Sequence, residues 1–71
     1  MLARGEVTVF DEQAGLGVVR ATTGVELPFH CLAIADGRRT IAVGTSVRFR
    51  VAAALPGRWE AFDLDSVATA G

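Results

Sequence analysis

The sequence predicts an all-β fold, a small antiparallel barrel of about five strands, and three observations carry that expectation. Its apolar runs are short and are separated by glycines, Asp36-Gly37 and Pro56-Gly57, which is turn punctuation and not helical spacing. The clearest run, residues 46–52, alternates Val47, Phe49 and Val51 with Arg48, Arg50 and Ala52, the period-two pattern of a half-buried strand. The chain is 71 residues long, enough for one domain, and 51% of it is hydrophobic with a mean hydropathy of +0.39, ample for a core. A domain of this size buries only about 60% of its unfolded surface, so modest stability is expected.

The first strand is expected over residues 6–10, with Val7 and Val9 on one face and Thr8 and Phe10 on the other. Residues 11–15 form a polar turn. The second strand, residues 16–21, places Leu16, Val18 and Arg20 on one face and Gly17, Val19 and Ala21 on the opposite one. Thr22-Thr23-Gly24 turns the chain into a third run, residues 25–29, in which Leu27 and Phe29 are the core pair. Pro28 lacks an amide hydrogen and belongs at a strand edge or bulge. Residues 31–35 suffice for one short turn of helix before Asp36-Gly37-Arg38-Arg39, and residues 40–44 lead into the strand at 46–52. After Leu55-Pro56-Gly57, the last run, residues 59–64, puts Phe62 and Leu64 in the core and leaves Trp59, Ala61 and Asp63 outward. Closing these strands into a barrel removes exposed edges. The domain is therefore expected to fill the chain, residues 1–71, with its core at about 4–64 and a frayed tail at 65–71.

Seven basic residues face eight acidic ones, giving a net charge of −1 and a pI near 5.6. Non-specific affinity for nucleic acid comes largely from cations that displace counterions from phosphates, so this balance argues against a strong binder. A basic stripe on one face would suffice even so. All the basic residues are arginine, a bias that a GC-rich genome produces as readily as a need for stacking, bidentate guanidinium groups.

Cys31 is alone, which excludes an intramolecular disulfide and a cysteine-based metal site within the chain. His30 stands beside it, but neighbours on a strand point to opposite faces, so no shared ligand sphere or Cys–His nucleophile is expected. No nucleophile–base pair, carboxylate pair or phosphate loop is present, so neither an enzyme nor a cofactor is expected. No run approaches the roughly 18 apolar residues of a membrane span. Met1-Leu2-Ala3-Arg4-Gly5 has no apolar stretch of the signal-peptide kind, and a cytoplasmic location is expected.

Three segments carry a family resemblance: Gly5-Glu6-Val7-Thr8-Val9-Phe10-Asp11, Ala14-Gly15-Leu16-Gly17-Val18-Val19 and Leu27-Pro28-Phe29-His30-Cys31. In this order they resemble the cold-shock domain, a five-stranded antiparallel β-barrel of the OB class, over residues 4–64. In that family the first segment reads Gly-x-Val-x-Trp-Phe, and here Val9 stands at the tryptophan. The family's Lys-Gly-Phe-Gly-Phe-Ile falls on residues 14–19, where both glycines are kept but the lysine and the phenylalanines are replaced. Its Val-Phe-Val-His-Phe falls on residues 27–31, where the histidine alone keeps an outward ring.

The resemblance implies binding of single-stranded RNA or DNA, as an RNA chaperone or gene-expression regulator. The missing rings imply that this binding is weak and of low sequence specificity. Unpaired bases stack on aromatic rings at about 1–3 kcal/mol per base, and about 1.4 kcal/mol is tenfold in affinity. The candidate nucleic-acid-binding residues are Phe10, Leu16, Val18, Arg20, His30 and Trp59. Phe10 is either a stacking platform or a partly buried ring near a barrel end. Leu16 and Val18 are an apolar shelf or tolerated surface aliphatics, and His30 stacks on a base or is a plain surface histidine. Arg20 shares their face and is the preferred phosphate contact, with a solvated charge as the alternative. Trp59 is a replacement platform or a ring packed over the barrel mouth. Arg38 and Arg39 flank a loop, and Arg48 and Arg50 are expected to pair with Glu6 or Glu60. The rival expectation is a protein-interaction module, a homodimer in its simplest version, built on an apolar patch of Leu16, Val18, Pro28 and Cys31.

Overall fold

Strand-forming runs rich in Val, Phe and Ala extend further than alternation alone indicates. The structure, a computed structural model, describes residues 2–67. It contains β1 (Leu2–Asp11), β2 (Leu16–Ala21), β3 (Glu26–His30), a single 3-10 turn (Cys31–Ala33), β4 (Ser46–Leu55) and β5 (Arg58–Ser66). These form one antiparallel sheet in the order β3-β2-β1-β4-β5. The sheet curls until β3 packs against β5, and beyond the 3-10 turn Ile34 bridges Leu64 in parallel. The Ala35 amide donates to the Leu64 carbonyl at 2.7 Å and fastens that closure.

Local chemistry explains the β1–β2 reversal. The Asp11 carboxylate accepts from the amides of Gln13 and Ala14 at 3.0 and 3.2 Å, and its carbonyl accepts from Gly15 at 2.8 Å. Gly15 has φ +67°, a left-handed conformation that glycine adopts without a Cβ penalty. The core then gathers Val7, Val19, Leu27, Phe29, Ile34, Val47, Phe49, Ala61 and Leu64, all buried. Burying each of the Val, Leu, Ile and Phe side chains contributes roughly 1.5–3 kcal/mol, and Ala61 less, before the opposing chain entropy is counted.

Two β-bulges correct the expected strand faces. In β1, Val7 pairs with Val19 but Val9 pairs with Val18, so one extra residue enters the strand between them. Val7 is therefore buried while Val9 is 52% exposed, although simple alternation puts the two together. Phe10 turns the other way: half-buried, it stacks on Phe29 with ring centroids 6.0 Å apart and planes within 11°.

In β5, Phe62 pairs with Arg50 but Asp65 pairs with Arg48, and Asp63 sits between at φ +54°. Ala61 and Leu64 consequently both face the core, where alternation had sent Ala61 outward, and Phe62 is only half-buried. The same bulge aligns Arg48 with Asp65 at 3.3 Å and Arg50 with Asp63 at 3.2 Å, in place of the expected Glu6 and Glu60. Both pairs are exposed and contribute about 0–1 kcal/mol each. β5 also runs past residue 64 through Ser66, and the Val67 amide donates to Ser46 at 2.9 Å, so residues 65–67 are held where fraying was expected. The rest of that tail, 68–71, lies outside the described residues.

Left-handed backbone costs a residue with a Cβ about 1–2 kcal/mol, and Asp tolerates it better than most. Asp63→Gly is expected to keep or raise the melting temperature, whereas Asp63→Val loses about 1–2 kcal/mol, both read by thermal denaturation. An equal loss in the two variants would mean that Asp63 acts through Arg50 and not through its backbone.

Candidate nucleic-acid interface

Antiparallel pairing sets the outward side chains of β1, β2 and β3 in three cross-strand rows. Leu16 lies opposite Asp11 on one side and His30 on the other. Val18 lies opposite Val9 and Pro28, and Arg20 opposite Glu6 and Glu26. The structure thus brings together four of the six expected residues, Leu16, Val18, Arg20 and His30. Leu16 is 52% exposed, Arg20 and His30 are exposed, and Val18 is half-buried.

The glycine frame beneath this face is a packing device. A Cβ on Gly17 would lie 2.5 Å from Phe29 Cζ and 2.7 Å from the Val9 carbonyl oxygen, so only glycine lets the Phe29 ring close under β2. A Cβ on Gly15 would come 2.9 Å from the Cys31 Sγ, and the Cys31 amide donates to the Gly15 carbonyl at 2.8 Å. Cys31 is accordingly half-buried against the core and does not join the outward patch expected of it.

His30 ends β3 and caps the 3-10 turn. Its Nδ1 accepts the Leu32 amide at 3.1 Å, which leaves Nε2 as the ring nitrogen available to a partner. Because the strand stops here, His30 and Cys31 do meet, with Sγ 3.8 Å from Nδ1, where strand geometry would have parted them. That nitrogen already serves the backbone, so the contact forms no nucleophile–base pair. Among the described residues no group of three or more His, Cys, Asp or Glu side chains converges on a metal position.

The two remaining candidates lie elsewhere. Phe10 is committed to its stack on Phe29. Trp59, 58% exposed, lines a groove of about 940 Å³ with Leu2, Val25, Leu27 and Val51. The groove opens where β1 begins and β2 ends, while Leu16 starts β2 at its other end, opposite His30 at the end of β3. Two participants were missed from sequence. Val9 reaches the face through the bulge, and its place at the family's tryptophan was the available signal. Arg4 lines the groove beside Thr22, and only the β1–β2 register reveals it.

Electrostatically the face is mixed. Arg20 is the guanidinium in these rows, among the carboxylates of Glu6, Glu26 and Asp11. None of them lies within ion-pair distance of it among the described residues.

No family model and no curated protein matches the chain. A solved structure, drosophila Unr CSD456, superposes with a TM-score of 0.82 over 100% of this chain at 22% sequence identity. The match covers 29% of that chain, so the present sequence spans under a third of its length. With the strand order, the β3–β5 closure and this superposition together, the chain has the cold-shock domain fold, a small five-stranded barrel of the OB type.

Proposed function

We propose that the chain binds single-stranded nucleic acid through the outward face of β1, β2 and β3, weakly and with low sequence specificity, as an RNA chaperone or gene-expression regulator. One observation carries this: Val9, Leu16, Val18, Pro28, Arg20 and His30 occupy adjacent register positions on one face, where all but the half-buried Val18 are exposed. The weakness follows from the same positions. Leu16, Val18 and Val9 offer apolar contact without a π face, Phe10 is turned inward, and carboxylates border Arg20.

Titration of labelled oligo-dT and oligo-U, followed by anisotropy, tests the reading. Dissociation constants on the order of 10–100 µM are expected at low salt, weakening as salt rises. Val18→Asp, at the half-buried centre of this face, is expected to remove the signal, and circular dichroism verifies that the fold persists. Absence of binding at that protein concentration in low salt overturns the proposal.

A second reading has its own observation. With Val9 turned out and Phe10 turned in, Val9, Leu16, Val18 and Pro28 form a ring-free apolar patch bordered by acidic residues, which also suits a protein partner. A homodimer is its simplest form. Light scattering decides that case, because a mass independent of concentration excludes self-association.

A further inference from the structure

The groove that holds Trp59 adjoins a second cleft of about 510 Å³, and the two share Arg4, Ala21 and Thr22. The second cleft also contains Arg20 and Ser46. Arg48, Arg50 and Arg38 are each committed to an aspartate, whereas Arg4 and Arg20 have no carboxylate within ion-pair distance among the described residues. Glu6 shares this cleft and Glu26 lines the Trp59 groove, each opposite Arg20 in the strand register, but neither is within ion-pair distance of Arg4 or Arg20, and the Glu6 Oε2 lies 3.9 Å from where a Gly44 Cβ would sit. Two unpaired guanidinium groups and a threonine hydroxyl therefore line one surface, and an exposed indole lies next to them.

That combination matches a nucleotide strand. Arginine suits phosphate oxygens through its forked donors, and an indole with a free face offers any base a stacking surface irrespective of sequence. An apolar peptide would use the groove without needing Arg4 or Arg20. We propose that the barrel-end groove is a second segment of the single-strand track. A base stacks on Trp59, phosphates lie against Arg4 and Arg20, and the strand then continues from Arg20 onto Val18 along the same face of β2. The inference rests on the nucleic-acid reading above and relocates its aromatic contact to the β4–β5 hairpin.

Trp59 is the one tryptophan of the chain, so its fluorescence reports this site directly. Titrating the intact protein with oligo-dT is expected to quench that emission in step with the anisotropy of labelled oligonucleotide. By anisotropy, Trp59→Ala is expected to weaken binding about 10-fold, with Trp59→Phe recovering most of the loss. Arg4→Ala is expected to lower the salt slope by about one, as for a phosphate contact. Both side chains are exposed, and circular dichroism verifies that the variants fold. If the oligonucleotide binds and Val18→Asp abolishes binding, while Trp59→Ala and Arg4→Ala bind as the parent does, the groove proposal is overturned and the face reading stands. If the parent shows no anisotropy change, both fall. Quenching by an apolar peptide and not by oligonucleotide also overturns it, in favour of a protein partner.

Discussion

Phe29→Ala is expected to leave most of the chain unfolded at 37 °C. The ring is 1% exposed, fills the space under Gly17 and stacks on Phe10. Truncating a buried phenylalanine costs about 3–5 kcal/mol through lost transfer energy and the cavity left behind. Loss of the aromatic pair adds about 0.5–1.5 kcal/mol. Domains hold a total of about 5–15 kcal/mol, and one this small belongs near the lower limit. Urea denaturation followed by circular dichroism gives the result. A change below about 1 kcal/mol would mean that the ring is not packed as described.

Gly5→Ala is the second large effect, and its origin is backbone geometry. Gly5 lies in β1 between Ala21 of β2 and Val47 of β4. A Cβ there would overlap the Arg20 carbonyl oxygen, and it would lie 2.8 Å from that carbonyl carbon and 2.9 Å from the Ala21 Cα. Every one of these atoms is main chain, so no rotamer change relieves the clash and β1 and β2 must separate. The loss is expected at or above the upper end of the about 1–3 kcal/mol usual for overpacking. Gly57→Ala is the control: nothing lies within 4 Å of its Cβ, and only its φ of +77° is strained. Thermal melts of the two variants should differ widely. A shift under about 4 °C for Gly5→Ala, equivalent to about 1 kcal/mol or less, would show that the strands are not in close approach.

The five strands were legible because the turn residues between them have conformational demands that few other residues meet. Strand length was less so: β1 begins at Leu2 and β4 continues through three alanine-rich positions to Leu55, where weak β-formers are carried by pairing with neighbouring strands. The faces failed at two places for one reason. A bulge inserts a residue into the alternation without a side-chain signature, so Val9, Phe10 and Ala61 each changed sides. The partners of Arg48 and Arg50 followed from the β5 bulge in the same way. At the candidate interface, Leu16, Val18, Arg20 and His30 were readable because β2 and β3 pair without a register shift. Trp59 was readable as a candidate ring, but Arg4 and the groove the two share were not, since that groove depends on how far the β4–β5 hairpin projects beyond the start of β1.

The bulge after Val7 also separates two kinds of change that an unbroken strand would couple. Val7 answers to the interior, whereas Val9, Leu16 and Val18 project from a layer whose packing Gly17 and Phe29 already complete. Aromatic side chains grafted at Val9 and Leu16, each 52% exposed, would project outward from that layer and not into it. The chain is in that sense a blank of its own fold, on which the effect of each added ring on oligonucleotide binding can be measured against the aliphatic parent face.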